Sequence, residues 1–562
     1  MRSATVLACA CLLGLLGSCP SRAIQLALSS SDQQLRSRPA GTPASSPGAP
    51  PILILALDGV SRSQLYWMIR AGELPNLTDL LGGDGLAHAY FDESLLSTMP
   101  STTMPAWVSA MTGVAPADHG VAGNEYFIRE QREFACPAPV SFFDIDPTLA
   151  IYTDRYIDRL TQAQTVYEAM REKEPNILIW VTMNHLFRGA DRMLLAKHAA
   201  YFHIYAELLA DKVDRYVRGK HSPTVWAEID RAAVDVLTSH LARDPLPDVL
   251  TLYVAGTDLY AHVADEGPDA ARRTYMRTIV DPLIGRVVDK LRARGRLDRL
   301  WVIVLADHGH TAVVHDKVHA LGTGEGGGPP TVLRAAGFRV RPFRHDVAAS
   351  DPFSAVLAYG GATAYVYLAD RSRCPGPNDV CPWDLPPRYA EDVLPAAEAY
   401  FRANRDGTYA PQMKGTLDMI LVRRPKPFPE VDLPFEVYVG AGATVPIEDY
   451  LRDHPHPTYI DFAERMHDLA VGVRGERAGD IMLLAHDGDM ARPEDRYYFA
   501  RPYHSWHGSP SRQDSEIPLI VANRHHGSDE IGVHVRALLG DRPFLQKLAA
   551  VLLAIRSGAL GR

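Results

Sequence analysis

The sequence predicts an α/β fold: a mostly parallel central sheet sandwiched by helices, with an inserted cap subdomain. Three observations carry this reading. First, short continuous apolar runs of the kind that form strands buried on both faces recur along the chain: Ile52 to Leu57, Ile177 to Val181, Val249 to Val254, Trp301 to Leu305 and Ile517 to Val521. Second, segments with helical spacing lie among them, at Leu194 to Val217, Val225 to Leu241 and Ala271 to Arg294. Strands alternating with helices point to a parallel sheet covered on both sides. Third, about 200 positions separate His308 from His507, far more than one strand–helix step requires. That excess is the expected cap.

In chain order the expected organisation starts with a signal peptide at 1–18. Met1-Arg2-Ser3 gives a positive start, and the apolar run Thr5 to Leu16 is shorter than the ~20 residues of a spanning helix. The run ends Leu16-Gly17-Ser18-Cys19, like a bacterial lipobox in which Cys19 would be lipidated; the alternative is ordinary cleavage near Ser21-Arg22-Ala23. Residues 19–50, rich in Ser, Pro, Gly and Ala, read as a flexible tether. The catalytic core is expected in two parts, 51–315 and 479–562, around a cap at 316–478. An exported chain, periplasmic or on the outer membrane as a lipoprotein, or secreted without lipidation, meets an oxidising compartment. There Cys374 and Cys381 can close a small loop, leaving Cys136 over. Gly322 to Gly328 lacks a following Gly-Lys-Ser/Thr and reads as a loop rather than a phosphate cradle.

Composition excludes some functions. With 46% hydrophobic residues in 562 the chain is not disordered, and 58 Lys and Arg against 67 Asp and Glu give a net charge of -9. Such a chain has no basic field to gather a nucleic-acid scaffold. Composition leaves room for a small phosphorylated substrate at a metal, the partner the motifs below point to, with membrane contact expected only through an N-terminal lipid and no protein partner. The 22 histidines make metal ligation worth testing.

The chemistry lies where the strands end. Asp58 follows the first strand, Asp307 directly follows Leu305-Ala306, and Asp258 comes shortly after Tyr253-Val254. His262, four residues past Asp258, shares one side of a helical turn with it. His308 follows Asp307, and His507-Gly508 precedes the last strand. Three carboxylates and three imidazoles suit two zinc ions, the pairing that clamps the attacking and leaving oxygens of an in-line displacement. A nucleophile is offered by Ser101-Thr102-Thr103-Met104-Pro105, where Pro105 marks a helix from Ala106 onward whose amide end favours a phosphoryl group. A free threonine hydroxyl is a weak nucleophile that zinc can activate. Asn124 is an uncharged donor for a phosphoryl oxygen.

In this order, Asp58-Gly59, Thr103-Met104-Pro105, Asn124, Asp258-x3-His262, Asp307-His308-Gly309 and His507-Gly508 resemble the alkaline phosphatase superfamily, in its branch of type I phosphodiesterases and nucleotide pyrophosphatases. The resemblance implies an alkaline phosphatase-like fold. It also implies one zinc on Asp258, His262 and His507 and another on Asp58, Asp307 and His308, with Thr103 as nucleophile and a phosphothreonine intermediate. Thr102 is the neighbouring alternative; Thr103 matches the family position before x-Pro. Many relatives continue Phe-Pro-Asn where this chain has Met104-Pro105-Ala106. Phosphomonoesterases of the branch use a Lys and an Arg on a segment that matches His185 to Ala190. Here Arg188 is the candidate, with Leu186 where Lys is expected. Tyr126 and Tyr260 are candidates to stack on a leaving group. The alternative functions are an alkaline phosphomonoesterase and, from a different class, a lipoprotein that binds a phosphorylated ligand without turnover.

Overall fold

The strands that build the two main sheets are β1 (Asp32–Gln34), β2 (Ile52–Leu57), β3 (Ala89–Asp92), β4 (Ile179–Thr182), β5 (Arg192–Leu194), β6 (Val249–Val254), β7 (Trp301–Ala306), β8 (Ala355–Tyr359), β9 (Thr363–Leu368), β10 (Leu417–Val422), β11 (Glu436–Gly440), β12 (Ala443–Pro446), β13 (Ile481–Ala485) and β14 (Leu519–Ala522). The structure is a computed structural model and describes residues 22, 29–36, 49–142, 144, 146–196, 224–322, 327–348, 350–424, 426, 433–488 and 492–560. The expected signal segment, Cys19, most of the tether and the helix expected beyond Ala196 lie outside these residues.

The central sheet has eight strands in the order β1-β5-β4-β6-β2-β7-β14-β3. From β5 through β7 neighbours run parallel, while β14 is antiparallel to β7 and to β3, and β1 is antiparallel to β5. The predicted mostly parallel α/β sheet is therefore present. Three differences are local. Pro518 cannot donate to a ladder, and the last strand starts at Leu519. Within Ala271 to Arg294, Pro282 stands at the head of the helix Asp281–Ala293, and the preceding turn Met276–Val280 is widened into a π-turn. Residues Asp32–Gln34 of the expected tether form an edge strand, because backbone pairing needs no apolar pattern.

Helices α1 (Arg62–Arg70), α2 (Thr103–Thr112), α3 (Thr224–Arg243), α4 (Gly256–Val263), α5 (Asp281–Ala293), α6 (Leu394–Asp406) and α7 (Leu548–Arg556) matter most for the site. The two faces of β2 separate by the period-2 rule. Ile52, Ile54 and Ala56 join a cluster with Met104 and Trp107 of α2 and Val551 and Leu552 of α7. Leu53, Leu55 and Leu57 face Leu65 of α1, Leu237 of α3 and Val287 of α5. Both faces are thus dry, which is why β2 reads as an unbroken apolar run.

The second sheet has six strands in the order β8-β9-β13-β10-β11-β12, with antiparallel pairing throughout. Its strand β13 lies beyond residue 478, so the insert runs past the boundary expected from the sequence. Val356, Tyr367 and Met482 join the cluster that covers β2, while Leu357, Val366 and Leu483 pack with Ala397 and Tyr400 of α6. The cap sheet therefore shares the core instead of standing over it as a separate lid. Cys374 and Cys381 are joined as a disulfide within it, and Cys136 is free and buried. Among the described residues no helix is long and apolar enough to cross a membrane.

A buried arginine ties this insert to the loop before α2. Arg465 donates to the carbonyls of Ser97 (3.1 Å) and Thr98 (2.8 Å) and to Ser101 Oγ (2.8 Å). Arg465→Met leaves those acceptors without a donor, and each buried orphan costs about 1–3 kcal/mol. The expected outcome is a loss on the order of 3 kcal/mol in chemical denaturation, with the midpoint and not the slope displaced.

Candidate functional site

The parallel strands deliver the acids to one edge. Asp58 extends the β2 ladder with its N–H on Val254 O (3.0 Å), Asp307 follows β7 directly, and Asp258 sits in the first turn of α4 just past β6. Because β14 runs antiparallel, the segment that precedes it, with His507, returns to the same edge. Ligands of α/β sheets bind there. Two glycines make the close approach feasible. A Cβ on Gly59 (φ 64°) would lie 2.8 Å from the His310 ring and 2.9 Å from Asp258, and one on Gly508 (φ 101°) would lie 2.1 Å from Gly360 O.

The side chains converge in two overlapping groups that could hold metal: Asp258, His308, His310 and His507, and Asp58, Asp307 and His308, all buried, with ligand atoms within 4.8 Å in each group. His308 Nε2 is 3.5 Å from Asp58 Oδ1 and 3.4 Å from Asp307 Oδ2, and its ring stacks on His507 at 3.6 Å. Backbone carbonyls fix the tautomers. His308 Nδ1 donates to Gly309 O (2.9 Å), His507 Nδ1 to Ser101 O (3.0 Å) and His262 Nδ1 to Ser505 O (2.8 Å), so each Nε2 keeps its lone pair. These lone pairs face carboxylates: His262 Nε2 is 3.5 Å and His507 Nε2 is 3.8 Å from Asp258.

The charges do not balance without a cation. Burial, then Asp307 and Asp258, push the Asp58 carboxyl well up, and burial raises Asp307. For Asp258 burial also acts upward, but His262, His310 and His507 hold it well below the usual carboxylate range. That stabilisation needs positive rings, whereas burial pushes His310 and His507 well down. Asp58 Oδ1 and Asp307 Oδ2 are buried with no hydrogen-bond partner. Acceptor-only atoms pointing at one another are the signature of a site built around cations.

Thr103 opens α2, three residues before the helix start expected at Ala106; Pro105 is tolerated because first-turn N–H groups have no intrahelical partner. Thr103 Oγ1 lies 3.2 Å from His308 Nε2. Thr102 is fully buried at 0% exposure, against 7% for Thr103, so Thr103 is the less enclosed of the two. Asn124 Oδ1 accepts from Met104 N (3.0 Å), which fixes the side chain beside the head of α2.

The structure does not bring the expected substrate-contacting residues to this cluster. Arg188 is consumed by Glu168 (3.1 Å) and the carbonyls of Asp158 (2.9 Å), Thr161 (2.9 Å) and Ala163. It borders a polar cavity of 790 Å³ whose lining contains none of the cluster residues. Tyr126 is buried in the core beneath the second sheet, and Tyr260 donates to Glu266 (2.7 Å) while packing near Tyr275. Conversely, sequence reasoning missed His310, whose Nε2 contacts Asp258 Oδ1 and whose Nδ1 lies 2.9 Å from Ser505 Oγ. Two residues past His308 in the same run, it was visible in the sequence as Asp307-His308-Gly309-His310. His262 lies beside the first group, its ring 4.6 Å from His310. Replacing His310 by Leu is expected to weaken metal retention about 10–100-fold, read by competition with a chromophoric chelator, the magnitude typical of partners that orient ligands.

The model of the type I phosphodiesterase/nucleotide pyrophosphatase family matches residues 52–325. An uncharacterised pyrophosphatase/phosphodiesterase of Schizosaccharomyces pombe is 22% identical over 272 residues, 46% of this chain and 44% of the relative. Ectonucleotide pyrophosphatase/phosphodiesterase family member 3 of Rattus norvegicus is 22% identical over 269 residues, 48% of this chain and 26% of the relative. The chain thus spans less than half the length of these curated relatives. Among solved structures, murine ectonucleotide pyrophosphatase/phosphodiesterase 5 aligns with a TM-score of 0.47 and 12% identity over 90% of this chain and 95% of that one. An inactive variant of the same murine protein in complex with AMP aligns with a TM-score of 0.46. The matched region, just under half of the chain, carries Asp58, Thr103, Asn124, Asp258, His262, Asp307 and His308, and it is this region that the chain shares with the type I phosphodiesterase/nucleotide pyrophosphatase family model.

Proposed function

We propose that this chain is a metal-dependent phosphohydrolase, a phosphodiesterase or nucleotide pyrophosphatase that uses Thr103 as nucleophile and passes through a phosphothreonine. The observation that carries the reading is the Thr103 hydroxyl at the head of α2, 3.2 Å from His308 Nε2 and beside the carboxylates. The orphaned oxygens of Asp58 and Asp307 and the inward lone pairs of the histidines fit two zinc ions. Asp258 and His507, with His262 or His310, would hold one; Asp58, Asp307 and His308 would hold the other. Bound ions supply charge that lowers the pKa of a hydroxyl and stabilises a phosphoryl group.

The chain's own groups do the rest. Thr103 Oγ forms a bond to phosphorus as the bond to the leaving oxygen breaks in line with it. The Thr103 N–H at the head of α2 and Asn124 Nδ2 donate to non-bridging oxygens as charge builds on them. Water then hydrolyses the phosphothreonine and returns the Thr103 hydroxyl. The substrate class proposed is a small phosphorylated molecule with a diester or pyrophosphate bond, in keeping with the names of the curated relatives. The sequestered guanidinium of Arg188 favours this over a phosphomonoesterase, which needs a cation for the additional phosphate charge. An exported location, with Cys19 as a lipid attachment point, is part of the proposal and draws support from the Cys374–Cys381 disulfide.

The test compares a phosphate diester with a monoester, in wild type and Thr103→Ala. Wild type is expected to prefer the diester. Thr103→Ala should lower its turnover by at least about 10³-fold, as for other residues that act as one catalytic unit, with metal content unchanged. Full activity in the variant would remove Thr103 as nucleophile.

A further inference from the structure

The carboxyl end of β4 holds polar groups that the reading so far does not use. Met183 follows the strand with φ 60°, a left-handed conformation rare for a side chain of this kind, and its backbone is held on both sides: its N–H donates to Leu194 O (3.1 Å) and its carbonyl accepts from Tyr152 OH (2.8 Å). Strain of this sort persists where the surroundings over-determine it, and it clusters at sites that work on ligands. Its effect here is to aim the next two residues. Asn184 is fully buried with Nδ2 unpartnered, its Oδ1 being used by Leu186 N (3.2 Å). His185 is 6% exposed, and its Nδ1 is buried without a partner.

One residue, Tyr253, separates His185 from the acid and histidine cluster. β4 pairs with β6, which pairs with β2, so the three strand ends share one edge. The His185 ring meets the ring of Tyr253 edge-on at 4.7 Å, and the Tyr253 hydroxyl donates to Asp58 Oδ2. From the other direction Trp107 meets the same Tyr253 ring at 5.8 Å. Trp107 is four residues beyond Thr103 in α2 and so lies on the nucleophile's face of that helix. Tyr253 is thereby bracketed by the nucleophile's helix and by His185. A buried amide hydrogen and a buried ring nitrogen left unpaired beside a reaction centre each call for a ligand group.

We infer that Asn184 and His185 form an uncharged hydrogen-bonding subsite that contacts the substrate and favours a monoanionic phosphodiester over a dianionic monoester. Burial lowers the His185 pKa to about 4, so the ring is neutral near pH 7 and brings no charge to offset a second negative charge on phosphorus. Arg188, three residues on, turns its charge to Glu168 and three carbonyls instead. The inference rests on the phosphohydrolase reading above.

The experiment measures kcat and KM for bis(p-nitrophenyl) phosphate and p-nitrophenyl phosphate in wild type, His185→Phe, His185→Gln and His185→Arg. All four carry Thr103 and the full acid and histidine set. His185→Phe keeps the ring packing on Tyr253, and its kcat/KM for the diester should fall about ten-fold, the scale of one lost hydrogen bond to substrate. His185→Gln should restore most of that loss. His185→Arg should move the diester-to-monoester ratio toward the monoester by a similar factor. If His185→Phe does not fold, by thermal midpoint, the Gln and Arg variants decide the matter through the ratio alone. An unchanged ratio in all folded variants overturns the subsite while leaving the phosphohydrolase reading intact. Absence of turnover of either ester by metal-loaded wild type overturns the reading itself.

Discussion

Three carboxylates buried at one edge of a parallel sheet are the constraint around which this molecule is arranged. With Asp58 and Asp307 offering oxygens within 4.8 Å of one another, like charges repel by roughly 3 kcal/mol at an effective dielectric of about 20. The surrounding histidines His308, His507 and His262 point Nδ1 at the carbonyls of Gly309, Ser101 and Ser505, which leaves Nε2 facing the carboxylates. A cluster that gathers so much negative potential on backbone-fixed side chains could hold cations. Strand order, the antiparallel return of β14 and the glycine turns at Gly59 and Gly508 serve that convergence.

The second sheet belongs to the same argument. Its inner face completes the core above β2, and Arg465 grips the loop that ends in Thr103. The loop after His507 is likewise fixed, with Ser509 N–H and Oγ donating to buried Asp514, which also accepts from Thr311. Thr103 and the clustered acids and histidines therefore stand on segments pinned from both sheets, the kind of support a reacting geometry needs to stay within tenths of an ångström.

Much of this was legible in the sequence because the features are local. An apolar run buried on two faces is visible as a run, and an acid at its end is visible as an acid, so β2, β6 and β7 with Asp58, Asp258 and Asp307 could be read directly. The ordered spacing also identified His262, His308 and His507 as candidates and Thr103 as the hydroxyl. Features that depend on where a side chain turns were not legible. Arg188 looks like a free cation until Glu168 and three carbonyls are seen around it, and Tyr260 looks like a stacking ring until Glu266 takes its hydroxyl. The cap boundary failed because β13 is antiparallel and pairs with strands more than 50 residues earlier. The edge strand β1 failed because pairing there is carried by backbone alone. His310 was missed for a different reason: only the fold reveals that a residue two beyond His308 turns back onto Asp258.

The central claim is that this cluster requires cationic charge, and the most direct measurement is calorimetric titration of the chelator-stripped protein with Zn2+, with thermal unfolding followed in parallel. The account predicts two ions bound per chain and a higher unfolding temperature on loading, since binding to the native state at 100-fold excess over Kd stabilises by about 2.7 kcal/mol per site. Failure to take up zinc or another divalent ion, with an unfolding temperature unchanged by chelator, would contradict it.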